Sequence, residues 1–333
     1  MVGLRLPDAV QRIALGNHEF EGRNNAYLLA DDGEVALLDT GVATDETRAQ
    51  LREGLADDGY GFADVDTVVL THWHYDHAGL AGEIQAAGGA TVYAHAEDVP
   101  LIAQDGPAVE ALFEHQRGRM AEWGMPDDKQ AALLETLTSS RPQAGDPVAV
   151  EPLEDGDTLT VAGRTLEVVH TPGHTAGLSA FAFDGDAGPE AFVGDAVLPV
   201  YTPNIGGADV RVEAPLATYA RSLERLIDRD FARFWPGHRD PIDDPAGRAR
   251  TILQHHRDRT RRVVEALRTL GPADPWTVSA ELFGELESIH VLHGPGEAWA
   301  HLDHLERHGP VEREGRAYRV VDDGAAAELP ELT

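Results

Sequence analysis

Thr71-His72-Trp73-His74-Tyr75-Asp76-His77 packs three imidazoles and a carboxylate into seven residues, directly after the apolar run Val68-Val69-Leu70. In an extended segment side chains repeat every two residues, so His72, His74 and Asp76 are expected to share one side. His77 adjoins Asp76, where Ala78-Gly79-Leu80-Ala81 is expected to begin a helix. An exposed strand end has no structural need for four such groups. A pair of metal ions has. The competing explanation is a polar loop with scattered histidines.

The chain of 333 residues suggests one large domain plus a small one. It has no cysteine, which excludes disulfides, thiol catalysis and thiolate–metal sites. Any metal therefore sits among nitrogen and oxygen ligands, a set that suits zinc first, with manganese or iron as alternatives. Met1-Val2-Gly3-Leu4-Arg5-Leu6-Pro7 lacks the apolar core of a signal peptide. No apolar run approaches the ~20 residues that cross a bilayer. The expected location is cytoplasmic, with no membrane partner.

The formal charge is −31, and Lys129 is the single lysine. Acidic residues occur throughout rather than in one block. Such a charge repels itself in dilute buffer, whereas in ~1 M salt the screening length falls to ~3 Å. The composition therefore reads as adaptation to molar intracellular salt, that is, a halophile. An ordinary acidic protein is the alternative. At low salt the field repels nucleic acid and anionic membranes.

Short strands are expected at Val10 to Leu15, Ala26 to Ala30 and Glu34 to Leu38, the last two joined by the hairpin signal Asp31-Asp32-Gly33. Asp45 to Leu55 reads as helix, and Val65 to Leu70 and Ala90 to Ala94 read as strands. This alternation argues for an α/β layered domain. From 97 to 144 the character turns helical, with candidates at Val109 to Trp123 and Asp127 to Leu137. That stretch reads as an insertion over one edge of the domain, a lid or a pair of ordinary packing helices. Strands resume at Thr158 to Val161, Thr165 to Val169, Ser179 to Phe183 and Ala191 to Val193. A helix at Ala214 to Asp228 and a strand at Phe231 to Trp235 complete a domain of residues 1–245. Residues 246–321 read as a small module. It has a helix through about Leu270, two more at Trp276 to Leu286 and Pro295 to His308, and a hairpin across Glu314-Gly315. Three helices and a two-stranded wing describe a winged-helix-like unit. The acidic tail, 322–333, is expected to fray.

Three later segments share the character of the first. His170-Thr171-Pro172-Gly173-His174, Gly194-Asp195-Ala196 and Pro236-Gly237-His238 each follow an apolar strand and present a metal-capable side chain beside Gly or Pro. Loops at strand ends on a rigid sheet are where catalytic groups are usually presented. One such loop is weak evidence. Four in order are strong.

On these residues the chain resembles the metallo-β-lactamase superfamily. His72-x-His74-x-Asp76-His77 matches its HxHxDH motif, and His174, Asp195, His238 and the early Asp39 match its later and earlier positions. The resemblance implies a four-layer αβ/βα sandwich with two facing mixed sheets. It implies that His72, His74 and His174 bind one ion, that Asp76, His77 and His238 bind a second, and that Asp195 bridges them. It further favours His174 over His170 as the third ligand of the first ion. Two divalent ions ~3.5–4 Å apart acidify a shared water towards pKa ~7 and polarise a substrate carbonyl or phosphoryl oxygen. Asp76 and Asp195 are the expected catalytic carboxylates, Asp76 by orienting the nucleophile or accepting its proton. Asp39 is expected to accept a hydrogen bond from a ligating histidine and fix its tautomer, or else to cap the following turn.

The C-terminal segments, Thr251 to Arg257 and His301 to Glu306, resemble the tails of the mitochondrial lactamase-like endoribonuclease and of bacterial glyoxalase-II-like hydrolases. Thr202 and Asn204 are then pocket residues or turn residues. Arg239 stands where the family often has glycine. It is expected to hold an anionic substrate group or to pair with Asp240. The near absence of lysine argues against a glutathione thioester. Three functions follow: hydrolysis of a small thioester, ester or lactone; a nuclease guided by Arg248, Arg250, Arg257, Arg259, Arg261 and Arg262; and an adaptor with little activity. The arginine run is expected to pair with carboxylates of the main domain instead of RNA. The apolar residues Leu282, Phe283, Leu286, Ile289 and Trp299 suit domain packing or a homodimer. His255, His256, His290, His293, His301, His304 and His308 are expected to be solvated or packed.

Overall fold

The computed structural model describes residues 10–16, 22–31, 33–185, 188–321 and 329–333. The N-terminal segment Met1–Pro7 and most of the acidic tail lie outside them. The strands are β1 (Gln11–Leu15), β2 (Asn24–Asp31), β3 (Glu34–Leu38), β4 (Thr67–Val69), β5 (Thr91–His95), β6 (Val150–Leu153), β7 (Thr158–Val161), β8 (Arg164–His170), β9 (Ser179–Gly185), β10 (Gly188–Gly194), β11 (Arg233–Pro236), β12 (Val311–Glu314) and β13 (Ala317–Val320). The helices are α1 (Asp45–Ala56), α2 (Tyr75–Ala78), α3 (Ala81–Gly88), α4 (Val99–Ile102), α5 (Gly106–Glu122), α6 (Asp127–Ser140), α7 (Pro215–Asp228), α8 (Pro245–Leu270), α9 (Pro275–Phe283) and α10 (His290–Arg307).

Two mixed sheets face each other. One runs β1-β2-β3-β4-β5-β6 and the other β11-β10-β9-β8-β7. In β3 and β4 Leu37 pairs with Val68, and in β10 and β11 Ala191 pairs with Phe234, both in parallel. The period of two sorts the side chains. Tyr27, Leu29, Ala36, Leu38 and Val69 of the first sheet meet Leu166, Val168, Phe181 and Phe192 of the second in one core. Their neighbours Leu28, Leu37 and Val68 face outward onto Leu51 and Leu55 of α1 and Ile84 of α3. Val169, Ala191 and Val193 face outward onto Leu216, Leu223 and Leu226 of α7 and Ile252 of α8. Helix, sheet, sheet and helix thus make four layers, and each buried Leu or Phe contributes about 1.5–3 kcal/mol.

Local chemistry sets the helix ends. Thr44 accepts from the Thr47 amide at the start of α1, and Asp244 accepts from Gly247 ahead of Pro245 in α8. Three details differ from the sequence expectation. The strand β6 is additional, since Val150-Glu151-Pro152-Leu153 carries a proline and has only an edge position to fill. Helix α10 begins at His290 rather than Pro295, which lies inside it, so proline there does not mark a helix start. The tail is not wholly frayed: Leu332 is buried against α7 and α8, and Thr333 Oγ1 donates to Glu224.

Helix α5 packs against the C-terminal helices rather than standing apart. Leu112, Met120 and Trp123 of α5 and its C-cap share a core with Val263 of α8, Trp299 and Leu302 of α10 and Tyr318 of β13. The Trp299 ring is tilted by 37° against Trp123 with centroids 6.2 Å apart, and lies under the Arg119 guanidinium. Of the apolar residues singled out in the sequence, Trp299 is buried against α5, whereas Leu282, Phe283, Leu286 and Ile289 are half-buried.

Candidate active site

Strand β4 ends beside Leu70, and the motif then turns. His77 and Ala78 donate their amides to the His74 carbonyl, which closes the helical turn of α2. Extended alternation therefore stops at His74, and Asp76 and His77 reach the site from a helix. The other three loops arrive from the second sheet: His174 after β8, Asp195 after β10 and His238 after β11. The glycine before His238 is required by space. A Cβ on Gly237 would lie 2.5 Å from Asp195 Oδ1 and 2.5 Å from His77 Cε1. Asn25 Nδ2 and the Tyr27 hydroxyl hold this turn through the Pro236 carbonyl, at 2.9 and 2.6 Å.

The seven side chains converge. His74 Nδ1 lies 3.1 Å from His72 Nε2 and 2.9 Å from His174 Nε2. Asp76, His77 and His238 form a second group, with His238 Nε2 3.5 Å from Asp76 Oδ2. Asp195 lies between the two: its Oδ2 is 3.7 Å from His174 Nε2 and 3.4 Å from His238 Nε2, and its Oδ1 is 3.5 Å from His77 Nε2. His170 is elsewhere, stacked on His95 at 3.9 Å and bonded to the Ala176 carbonyl.

The outer nitrogens of His72, His77, His174 and His238 are anchored, whereas His74 Nε2 is buried without a partner. His77 Nδ1 meets Asp39 Oδ2 at 2.9 Å, His174 Nδ1 meets the Asn204 carbonyl at 2.8 Å, and His238 Nδ1 meets the Gly22 carbonyl at 3.2 Å. Thr71 Oγ1 donates to Asp39 Oδ2, which leaves it an acceptor for His72 Nδ1 at 3.0 Å. Meanwhile His77 Nε2, His238 Nε2 and Asp195 Oδ1 are buried without a hydrogen-bond partner. Ligating histidines show this pattern, an outer N–H fixed and an inner lone pair presented. The donor set fits divalent ions with nitrogen and oxygen preferences.

The electrostatics agree. Burial, then the neighbouring histidines, hold His72 and His74 well below the usual imidazole range, so both offer lone pairs. Burial also disfavours charge on His77, but Asp195, Asp76 and Asp39 outweigh it and push that imidazole up to about 10. His238 is raised in the same way by Asp195 and Asp76 against burial. Burial opposes ionisation of Asp195, yet His238 and His77 hold it well below the usual carboxylate range. The carboxylates thus favour positive charge in this half of the site, a proton on these imidazoles in the absence of an ion that would displace it.

The remaining expected residues are placed as follows. Asn204 also donates from Nδ2 to the His293 carbonyl at 3.1 Å, while Thr202 is half-buried between exposed Tyr201 and buried Pro203. Arg239 stacks over Tyr201 at 4.7 Å, and Asp240 pairs with Arg12 at 2.8 Å instead of Arg239. Among the described residues, the contacts of Arg248, Arg257, Arg259, Arg261 and Arg262 are not with carboxylates of residues 10–245, contrary to expectation. Arg248 donates to the Leu198 and Tyr201 carbonyls, Arg259 pairs with Glu297 at 2.7 Å, and Arg261 pairs with Asp258. Sequence reading missed Asn24, whose Nδ2 donates to Asp76 at 3.1 Å, and Thr71 as the link between Asp39 and His72. The doubled Asn24-Asn25 at a strand start was the available signal.

Comparison with known proteins is consistent with this geometry. A probable metallo-hydrolase of Bacillus subtilis is 27% identical over 301 residues, which is 84% of this chain and 86% of that protein. The atrochrysone carboxyl ACP thioesterase of Aspergillus fumigatus is 26% identical, covering 81% of this chain and 71% of that one. A crystal structure of a metallo-beta-lactamase family protein from Thermus thermophilus superposes with a TM-score of 0.82 at 33% identity, over 95% of this chain and 99% of that one. The family model described as the metallo-beta-lactamase superfamily matches residues 20–238, which span all four metal-capable loops. By fold, site and likeness, this chain belongs to the metallo-beta-lactamase superfamily, a hydrolase family.

Proposed function

We propose that the protein is a binuclear metal-dependent hydrolase of a small thioester, ester or lactone. The observation that carries this reading is the convergence of seven donors, five of them buried and His74 and His174 half-buried, with Asp195 facing both triads. His72, His74 and His174 would hold one ion, and Asp76, His77 and His238 the other. Bound there, two ions supply an acidified water and a Lewis-acid contact for the carbonyl oxygen. Asp195, between the two groups, would offer oxygens toward both ions, and its charge would offset theirs. Asp39 keeps His77 in the Nδ1–H tautomer, so that Nε2 points inward. Asp76, held by Asn24, is placed to orient the nucleophile or take its proton.

The thioesterase among the relatives favours an acyl substrate. Arg239 follows His238 and stacks on exposed Tyr201, an aromatic and cationic surface suited to an acyl chain with an anionic end. The arginines of the C-terminal run are largely occupied by carbonyls and carboxylates of this chain, which disfavours RNA. The test is a substrate panel of thioesters, lactones, phosphodiesters and RNA in molar KCl, on protein of measured metal content. Turnover of carbonyl substrates alone is expected. Exclusive cleavage of RNA would reject the reading.

A further inference from the structure

Behind the first triad lies a buried charge network that none of the chemistry above uses. Asp98, at the end of the turn after β5, is fully buried, and Asp209 is 1% exposed. Asp98 Oδ2 accepts from the Trp73 amide at 3.2 Å and the Thr175 hydroxyl at 2.9 Å, and its Oδ1 accepts from the Gly177 amide at 3.0 Å. Asp209 Oδ2 accepts from the Trp73 indole at 3.3 Å and the Ala176 amide at 2.9 Å. Arg211 joins the two carboxylates, with one nitrogen 2.7 Å from Asp98 and 2.6 Å from Asp209, and a second donates to the Glu97 carbonyl.

The donors come from two places only. Trp73 lies between His72 and His74, and Thr175-Ala176-Gly177 directly follow His174. Among the described residues, and apart from Arg211, these side-chain carboxylates take their hydrogen bonds from residues flanking a member of the first triad. We propose that Asp98 and Asp209, bridged by Arg211, are positioning residues that set the spacing between the His72/His74 loop and the His174 loop, and so the affinity of the first metal position. Space leaves little slack in the clamp, because a Cβ on Gly177 would meet Asp98 Cγ at 2.6 Å.

The proposal rests on the metal-site reading above, and one experiment separates them. Metal-free full-length protein is titrated with Co2+ in molar KCl, followed by calorimetry and visible absorption, for wild type, Asp98→Asn, Asp209→Asn and Trp73→Phe. Wild type should bind in two resolvable steps. The two Asp→Asn variants should lose about ten- to a hundredfold in the affinity of one step only, with the other unchanged. Trp73→Phe, which deletes only the indole donor, should weaken the same step by less. Should Asp98→Asn fail to fold by circular dichroism, Asp209→Asn and Trp73→Phe decide the matter. Unchanged affinities, or equal loss from both steps, would overturn the clamp while sparing the metal site. No uptake of Co2+ by wild type would overturn both.

Discussion

His77 Nδ1 lies 2.9 Å from Asp39 Oδ2, and the same carboxylate accepts the Thr71 amide and hydroxyl, each at 2.8 Å. One side chain thus ties the end of the strand that carries the histidine motif to the motif's last member. Asp39 itself sits at φ 58°, a left-handed conformation held by these bonds. Asp39→Ala is expected to lower divalent-ion affinity about ten- to a hundredfold while leaving the fold intact. Dialysis against graded chelator, followed by metal analysis, checks it.

Arg259 and Glu297 form a 2.7 Å pair with side chains only 11% and 15% exposed. Burial raises the Glu297 carboxyl, and Arg259 opposes that shift. Arg259→Ala strands a buried carboxylate and is expected to cost about 3–5 kcal/mol in unfolding free energy. Adding Glu297→Gln should restore much of it. Denaturant melts in molar KCl read both. Charge reversal at Arg259 is for this reason a poor probe of RNA binding.

Acid stability should carry the mark of His256. Burial, then His255 and Arg259, push it down to about 3, while an unfolded histidine titrates near 6.5. Between those values the unfolded chain binds the proton and the folded chain does not, so stability falls as pH falls from about 6.5. His256→Gln should flatten the slope of unfolding free energy against pH in that window by up to about 1.4 kcal/mol per pH unit. An unchanged slope would mean that His256 takes its proton in the folded state.

The charge of −31 predicts a thermal midpoint that rises steadily as KCl increases. Screening shortens from ~10 Å at 0.1 M to ~3 Å at 1 M, which relieves repulsion between carboxylates. A midpoint indifferent to salt would mark an ordinary acidic protein.

The layered core was legible in the sequence because short apolar runs at β2, β3 and β8 are bounded by turn residues and interleaved with helical stretches, and the four donor loops announced themselves by pairing apolar strands with Gly, Pro, His and Asp. What escaped were features decided by contact rather than by pattern. β6 is too short and too polar to stand out, and its strand character comes from pairing with β5. Pro295 lies inside α10, flanked by Gly294 and Gly296, where the helix packs against Gly206 and Gly207. Asp98 and Asp209 look like any of the 58 acidic residues until the loops of His72 and His174 close on them. Arg248 and Arg259 read as a basic stripe because their partners lie far along the chain.

The central claim is that seven side chains distant in sequence grip paired divalent ions and use them to hydrolyse a substrate. The most direct measurement is metal content and turnover, side by side, for wild type and His74→Ala in molar KCl. Wild type should retain about two ions per chain. His74→Ala should lose the ion shared with His72 and His174, and turnover with it. A His74→Ala enzyme that works at the wild-type rate, or a wild type that never retains divalent ions, would contradict the account.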